Sequence, residues 1–274
     1  MTRFILTVLA LIAACMSAFA QSGGRICHPV ISRPFTSLPS IDRSKPLPVG
    51  DVQAFLAGET KDCPGCDLKG AQLQRRELSG ADLRGADLSG ASLHRASLAG
   101  ARLDAANLSG ANLNLTDLKN ASLIEANLNQ ALLYSADLSR AVLTRADLTW
   151  ARLQHARLTQ AQLQETKLVH AMAMQANFTG ADLRKADLQL SNLQGANLQR
   201  TDMRSAVLTN GGFIEANFTS ADLSLVNAFN ADFMSANFTD TRMVNADLRG
   251  MRQDGATFAC VRIENALMGP ATAN

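Results

Sequence analysis

From Cys66 to Pro270 the chain divides into fives without an insertion, CDLKG, AQLQR, RELSG, ADLRG and onward to ALMGP, so that 205 residues make 41 units. The middle residue is Leu in 28 of them, and the residue two places earlier is Ala in 30. A period of five restricts the backbone severely. On an α-helix each residue advances about 100°, so successive central leucines drift by about 140° and spiral over every side. On an unbroken strand, five steps put successive leucines on opposite faces. If the chain bends once per unit the flip is cancelled, and every central Leu and first-place Ala points into one interior. The period therefore predicts a coil with regular corners, whose turns share one continuous core.

Composition agrees with such an interior. The 274 residues are 47% hydrophobic but only 5% aromatic, so the core is built from small and medium aliphatic side chains. Tandem A-(D/N)-L-x-x units over three quarters of the chain resemble the pentapeptide-repeat family. That resemblance implies an all-β fold, a right-handed quadrilateral parallel β-helix with four units, and so 20 residues, per coil. About ten coils at roughly 4.8 Å would give a rod on the order of 50 Å long. Residues 20 apart then become stacked neighbours. Phe178, Phe218, Phe238 and Phe258 share one face, and Phe213 and Phe233 the adjacent one. Asn177, Asn197, Asn217 and Asn237 line up as an amide ladder would require, and Glu125, Arg145, Glu165 and Lys185 alternate in sign.

The ends differ from the rod. Residues 1–20 carry Arg3, an apolar run from Phe4 to about Cys15 and Ala18-Phe19-Ala20, the pattern of a cleaved secretory signal peptide. Ile12-Ala13-Ala14-Cys15 also resembles a lipobox, which would anchor the chain to a membrane through Cys15. Either route predicts export, to the periplasm or outside the cell. Residues 21–50, with Pro29, Pro34, Pro39, Pro46 and Pro48, read as a strap or linker. Residues 51–65 read as a capping helix, opened by Asp51 with Val52, Phe55 and Leu56 on one side, followed by a Cys-Pro-Gly turn. The β-helix is expected over 66–270, with a tail at 271–274. Gln253, a polar centre, marks a decaying last coil that is either a modest cap or a place where two rods meet.

Cys63-Pro64-Gly65-Cys66 is the one segment with the look of redox or metal chemistry. No strand-to-helix context surrounds it, and no second CxxC supplies two more zinc ligands. Pro64-Gly65 suits the centre of a type II turn and brings Cys63 and Cys66 near disulfide range. A free Cys66 packed like Ala, or a Cys27–Cys63 bridge fastening the strap, are the other arrangements the sequence permits. His94, His155 and His170 point outward and His28 lies in the strap, so no nucleophile, base or metal cluster forms. The chain is expected to be non-enzymatic, without catalytic residues, metal or cofactor. Asp at the place before the central Leu reads as a cap of backbone groups near the corners.

The best-known activity of the resembled family is gyrase binding by a rod that mimics DNA in size and negative charge. This chain departs from that pattern through its export signal and through pairs such as Asp82 with Arg84 and Asp182 with Arg184. The formal charge after signal removal is +1, and nothing predicts nucleic-acid binding. Folding at 20 instead collects Leu115, Leu132, Tyr134, Met172, Met174, Ile214 and Met234 on one outer side. Such a face suits a protein partner or a second copy of the rod.

Overall fold

The computed structural model describes residue 41 and residues 49–270. One short helix, α1 (Val52–Ala57), precedes a solenoid whose register is set by parallel bridges between residues 20 apart, from Asp67↔Asp87 to Asp247↔Leu267. Four units complete a turn, and the four faces are named here by their first central leucines: face 1 (Leu68), face 2 (Leu73), face 3 (Leu78) and face 4 (Leu83).

One hydrogen-bond pattern explains the five places. The third-place N–H reaches the next coil, as Leu68 to the Asp87 carbonyl at 2.7 Å, and the fifth-place N–H does likewise, as Gly70 to Ser89 at 2.9 Å. The second-place N–H reaches back, as Asp87 to Cys66 at 2.8 Å, and the first-place N–H closes the corner, as Ala71 to Leu68 at 3.0 Å. That leaves the fourth-place N–H without a backbone acceptor, and an unpaired amide is costly. The second-place Asp or Asn supplies it: Ser89 N–H donates to Asp87 Oδ1 at 2.9 Å and Thr179 N–H to Asn177 Oδ1 at 2.9 Å. The Asp columns are thus turn chemistry.

Each corner also requires a left-handed residue. Every fifth-place residue from Gly65 to Asn265 has a positive φ, including Trp150 at 60° and Leu225 at 62°. A left-handed non-glycine residue costs about 1–2 kcal/mol. Every unit before the last coil also buries its central side chain, worth about 1.5–3 kcal/mol for Leu. The interior outweighs the corners.

Substitutions inside the tube carry local compensation. Thr116 and Thr166 replace first-place Ala, and their hydroxyls donate to the carbonyls of Leu93 and Leu143, both at 2.8 Å. Gly211 gives room to its neighbour, since a Cβ there would stand 2.6 Å from the Phe213 ring. The phenylalanines stack as the 20-residue register demands, Phe218 on Phe238 at 5.0 Å and Phe213 on Phe233 at 5.3 Å between centroids. The Asn column is more mixed. Asn177 Oδ1 accepts from Thr179 Oγ1 at 2.6 Å, while side-chain rungs run elsewhere, from Asn107 to Asp87 and Asn127 to Asn107, each at 3.1 Å.

At the N-terminal end, Asp51 Oδ1 accepts from the N–H groups of Gln53 and Ala54, and α1 ends on left-handed Gly58. Phe55 is wholly buried against the first coil. Arg76 stands where most units have inward Ala, and its guanidinium donates to the Phe55 carbonyl at 2.8 Å. The solenoid bonding begins one unit earlier than the expected Cys66. Cys63 N–H donates to Asp82 O and Gly65 N–H to Arg84 O, both at 2.8 Å, so Lys61–Gly65 already forms a corner. At the other end Phe258, Ile263 and Met268 are only partly buried, and the buried Gln253 Oε1 has no hydrogen-bond partner. The expected signal peptide, lipobox, tail and Cys27 lie outside the described residues, as does all of the strap but Ile41, Val49 and Gly50.

Candidate binding face

Cys63 and Cys66 are joined in a disulfide with Cα atoms 5.4 Å apart, across the turn that Pro64 and Gly65 make. Both are buried, Cys63 in the central place of its unit and Cys66 in the first. Gly50 N–H donates to the Pro64 carbonyl at 2.8 Å, holding Gly50 against this corner. Cys260 is disulfide-bonded as well. No group of three or more His, Cys, Asp or Glu arranged to hold a metal occurs among the described residues, and no helix there is long and apolar enough to cross a membrane.

The register places Leu132, Tyr134, Met172, Met174, Ile214 and Met234 on the outside of face 2 and Leu115 on the corner that ends it. Tyr134 is 49% exposed, Leu115 41% and Met172 38%, while the other four are half-buried. They do not form one unbroken patch. Arg152 and Gln154 stand between the Leu132–Tyr134 and Met172–Met174 tiers, and Asn192 and Gln194 separate the latter from Ile214. The neighbouring corner fills the first gap. Trp150, 51% exposed, stacks on His170 with centroids 3.9 Å apart, and Leu190 continues the ridge. His155 meets the Tyr134 ring edge-on at 5.3 Å. Five successive coils, those of Leu115, Tyr134, Trp150, Met172 and Leu190, thus each present an apolar or aromatic side chain.

Trp150 and Leu190 escaped the sequence reading because they are fifth-place residues of face 1 units, on the corner that leads into face 2. The signal was present, since each lies two residues before a second-place residue of face 2. Histidines at these places act as aromatic neighbours, not as paired bases.

Charge on this side is sparse. From Asn112 to Gly212 the only Lys, Arg, Asp or Glu among the outward residues of face 2 is Arg152. Face 4 is the opposite: Arg184 lies 2.7 Å from Asp182 and 3.7 Å from Asp202, and Arg204 lies 2.7 Å from Asp202 and 4.0 Å from Asp222. The corner beyond it pairs Arg145 with Glu125 at 2.9 Å and Lys185 with Glu165 at 3.4 Å. The hydrogen bond from Arg84 is the main cause holding the Asp82 carboxyl below its usual range, and that from Arg249 does the same for Asp247.

A stacked four-sided coil of this register, with Asx-capped corners, is a pentapeptide-repeat solenoid. The chain belongs to the pentapeptide-repeat family, whose members form right-handed quadrilateral β-helices: the family model "Pentapeptide repeats" matches residues 66–104, 101–140, 141–180, 174–210 and 213–250. Among solved structures it is similar to HetL of the cyanobacterium Nostoc sp. strain PCC 7120, described as involved in heterocyst differentiation regulation, at 30% identity over 81% of this chain and 97% of that one (TM-score 0.45). It is also similar to QnrB1, a plasmid-mediated fluoroquinolone resistance protein, at 17% identity over 74% of this chain and 94% of that one (TM-score 0.45). No curated protein matches the sequence.

Proposed function

We propose that the chain is an exported, non-enzymatic protein-binding rod of about ten coils, capped at its N-terminal end by α1, that holds a protein partner or a second copy on face 2. One observation carries the reading: five successive coils offer Leu, Tyr, Trp or Met to solvent along a side with a single formal charge. Interface centres are depleted in charge and enriched in Tyr, Trp and Met, because such surface loses little hydration on contact. Export rests on the signal-peptide pattern at residues 1–20. A DNA-mimicking role draws no support from the surface, where Asp182 and Asp202 are matched by Arg184 and Arg204.

The test uses the mature protein as bait on cell-envelope and medium fractions, beside a Tyr134→Glu/Met174→Glu variant, with light scattering to read self-association. A partner or dimer lost by the variant supports the reading. Equal capture and equal mass for both proteins would remove face 2 from consideration.

A further inference from the structure

Face 2 is arranged evenly about one tier. Arg152 and Gln154 stand in its middle, with His155 on the corner that ends it. One coil to either side lie Leu132 with Tyr134 and Met172 with Met174, and two coils to either side lie Asn112 with Asn114 and Asn192 with Gln194. Apolar tiers therefore answer apolar tiers, and amide tiers answer amide tiers. Charge answers with the opposite sign. On the closing corner Arg95 lies three coils before His155, and Glu215 lies three coils after it. Both are exposed, and neither makes an ion pair among the described residues. Arg95 has Arg75 and Leu115 as column neighbours, and Glu215 has Gly195 and Ser235, so neither column offers the alternation seen at Glu125, Arg145, Glu165 and Lys185.

A surface of this kind is complementary to itself. A two-fold axis laid across the rod at the Arg152 tier, in the plane of contact, turns a second copy antiparallel and sets each column against its own equivalent. Leu132 then faces Met172 of the second copy, Tyr134 faces Met174, Asn112 faces Asn192 and Arg95 faces Glu215, each pairing occurring twice. Trp150 meets its own copy beside the axis, near the centre, where binding energy concentrates. Sliding the copies by one coil destroys the match. Arg152 then falls on Leu132 or Met172, and Arg95 falls on Gly195 or Ser235. A parallel arrangement stacks like tiers but leaves Arg95 opposite Gly90 and Glu215 opposite Asn210.

We infer that, granted face 2 as the binding face, its partner is a second copy of this chain, held side by side and antiparallel about the Arg152 tier. From Arg95 to Glu215 the contact spans six coils, about 29 Å at roughly 4.8 Å per coil, on one side of the rod. That is a small interface, so the dimer is weak and forms in the micromolar range. The charges at its two ends fix register and polarity more than they add affinity. Arg152 meets its own copy on the axis, and its long side chain relieves the repulsion by carrying the guanidinium outward to water.

Sedimentation equilibrium of the mature protein, from about 1 μM to 1 mM, tests this. Arg95→Glu and Glu215→Arg, made separately, should each weaken the dimer about tenfold, because each sets two like-charge pairs across the contact. Mixed one to one, the two variants should associate as tightly as the unaltered chain, since opposite charges again face each other at both ends. Arg152→Gln should tighten the dimer severalfold, and no gain would move the axis off that tier and overturn the proposal. A protein that stays monomeric throughout overturns it too, as does a dimer indifferent to both single variants or a mixture that remains dissociated. Face 2 is judged separately. If the dimer fails while a different protein is captured and then lost by Tyr134→Glu/Met174→Glu, the binding face stands without the self-pairing. A dimer that survives Tyr134→Glu/Met174→Glu lies elsewhere on the rod and overturns the inference together with face 2 as a self-contact.

Discussion

A methyl group added at residue 50 would stand 2.5 Å from the Cys63 Cα and 2.9 Å from the Cys66 sulfur. Neither the backbone nor a bonded sulfur can step aside. Gly50→Ala should therefore cost about 1–3 kcal/mol, read as a lowered thermal midpoint and faster hydrogen exchange near Cys63. The corners give the opposite sign. Ser220 adopts a φ of 60°, so Ser220→Gly removes strain of about 1–2 kcal/mol and loses part of it to a freer unfolded chain, raising stability by about 0.5–1 kcal/mol in chemical denaturation. At this scale the sequence was readable wherever a residue obeyed the repeat. The corner Asp residues and the Pro64-Gly65 turn were legible. Arg76 was not, because an Arg in an inward place makes sense only once α1 is seen to lie above it and present carbonyls.

Columns are the natural elements of this rod, and two of them differ in how they fail. The phenylalanines around Phe218 touch one another across coils, with Phe213 at 5.8 Å and Phe233 at 5.7 Å as well as the stacked Phe238. Phe218→Ala should cost about 3–5 kcal/mol. Because each coil contacts only its neighbours, exchange should accelerate around residues 198–258 far more than in the N-terminal half. The Asp–Arg pairs respond to acid. Asp82 and Asp247 have carboxyls lowered in the folded protein, first by the Arg84 and Arg249 hydrogen bonds. A lowered value means the ionised group favours folding, so that contribution is complete above the unfolded value near 4 and vanishes as pH falls through the folded one. The melting temperature should drop on acidification below about pH 4, and Arg84→Gln/Arg249→Gln should flatten the drop. The 20-residue columns were legible because stacking follows from the period alone.

For the whole molecule, ordering comes from repetition, and the covalent link at the top adds little. The Cys63–Cys66 bridge closes only four residues, so removing it as Cys63→Ala/Cys66→Ala should cost about 2 kcal/mol, less than a bridge across a long loop, and fray the first coil only. Equilibrium denaturation with local exchange reads both parts of that statement. Far-UV circular dichroism should show little helix, in keeping with α1 as the one helix among the described residues.

The strict register of 20 also separates fold from recognition in a way that ordinary domains do not allow. Removing 20 residues from the middle of the rod deletes one storey and leaves every side chain below it on its original wall. Removing five keeps each Leu inside and each corner intact, yet turns everything below the cut by a quarter revolution. A chain lacking Ala156–Gln160 would still fold, but Met172 and Met174 would move around a corner from Tyr134. Such a molecule is a lock whose pins have been rotated without changing the metal. Its loss or retention of partners would report the arrangement of the surface alone.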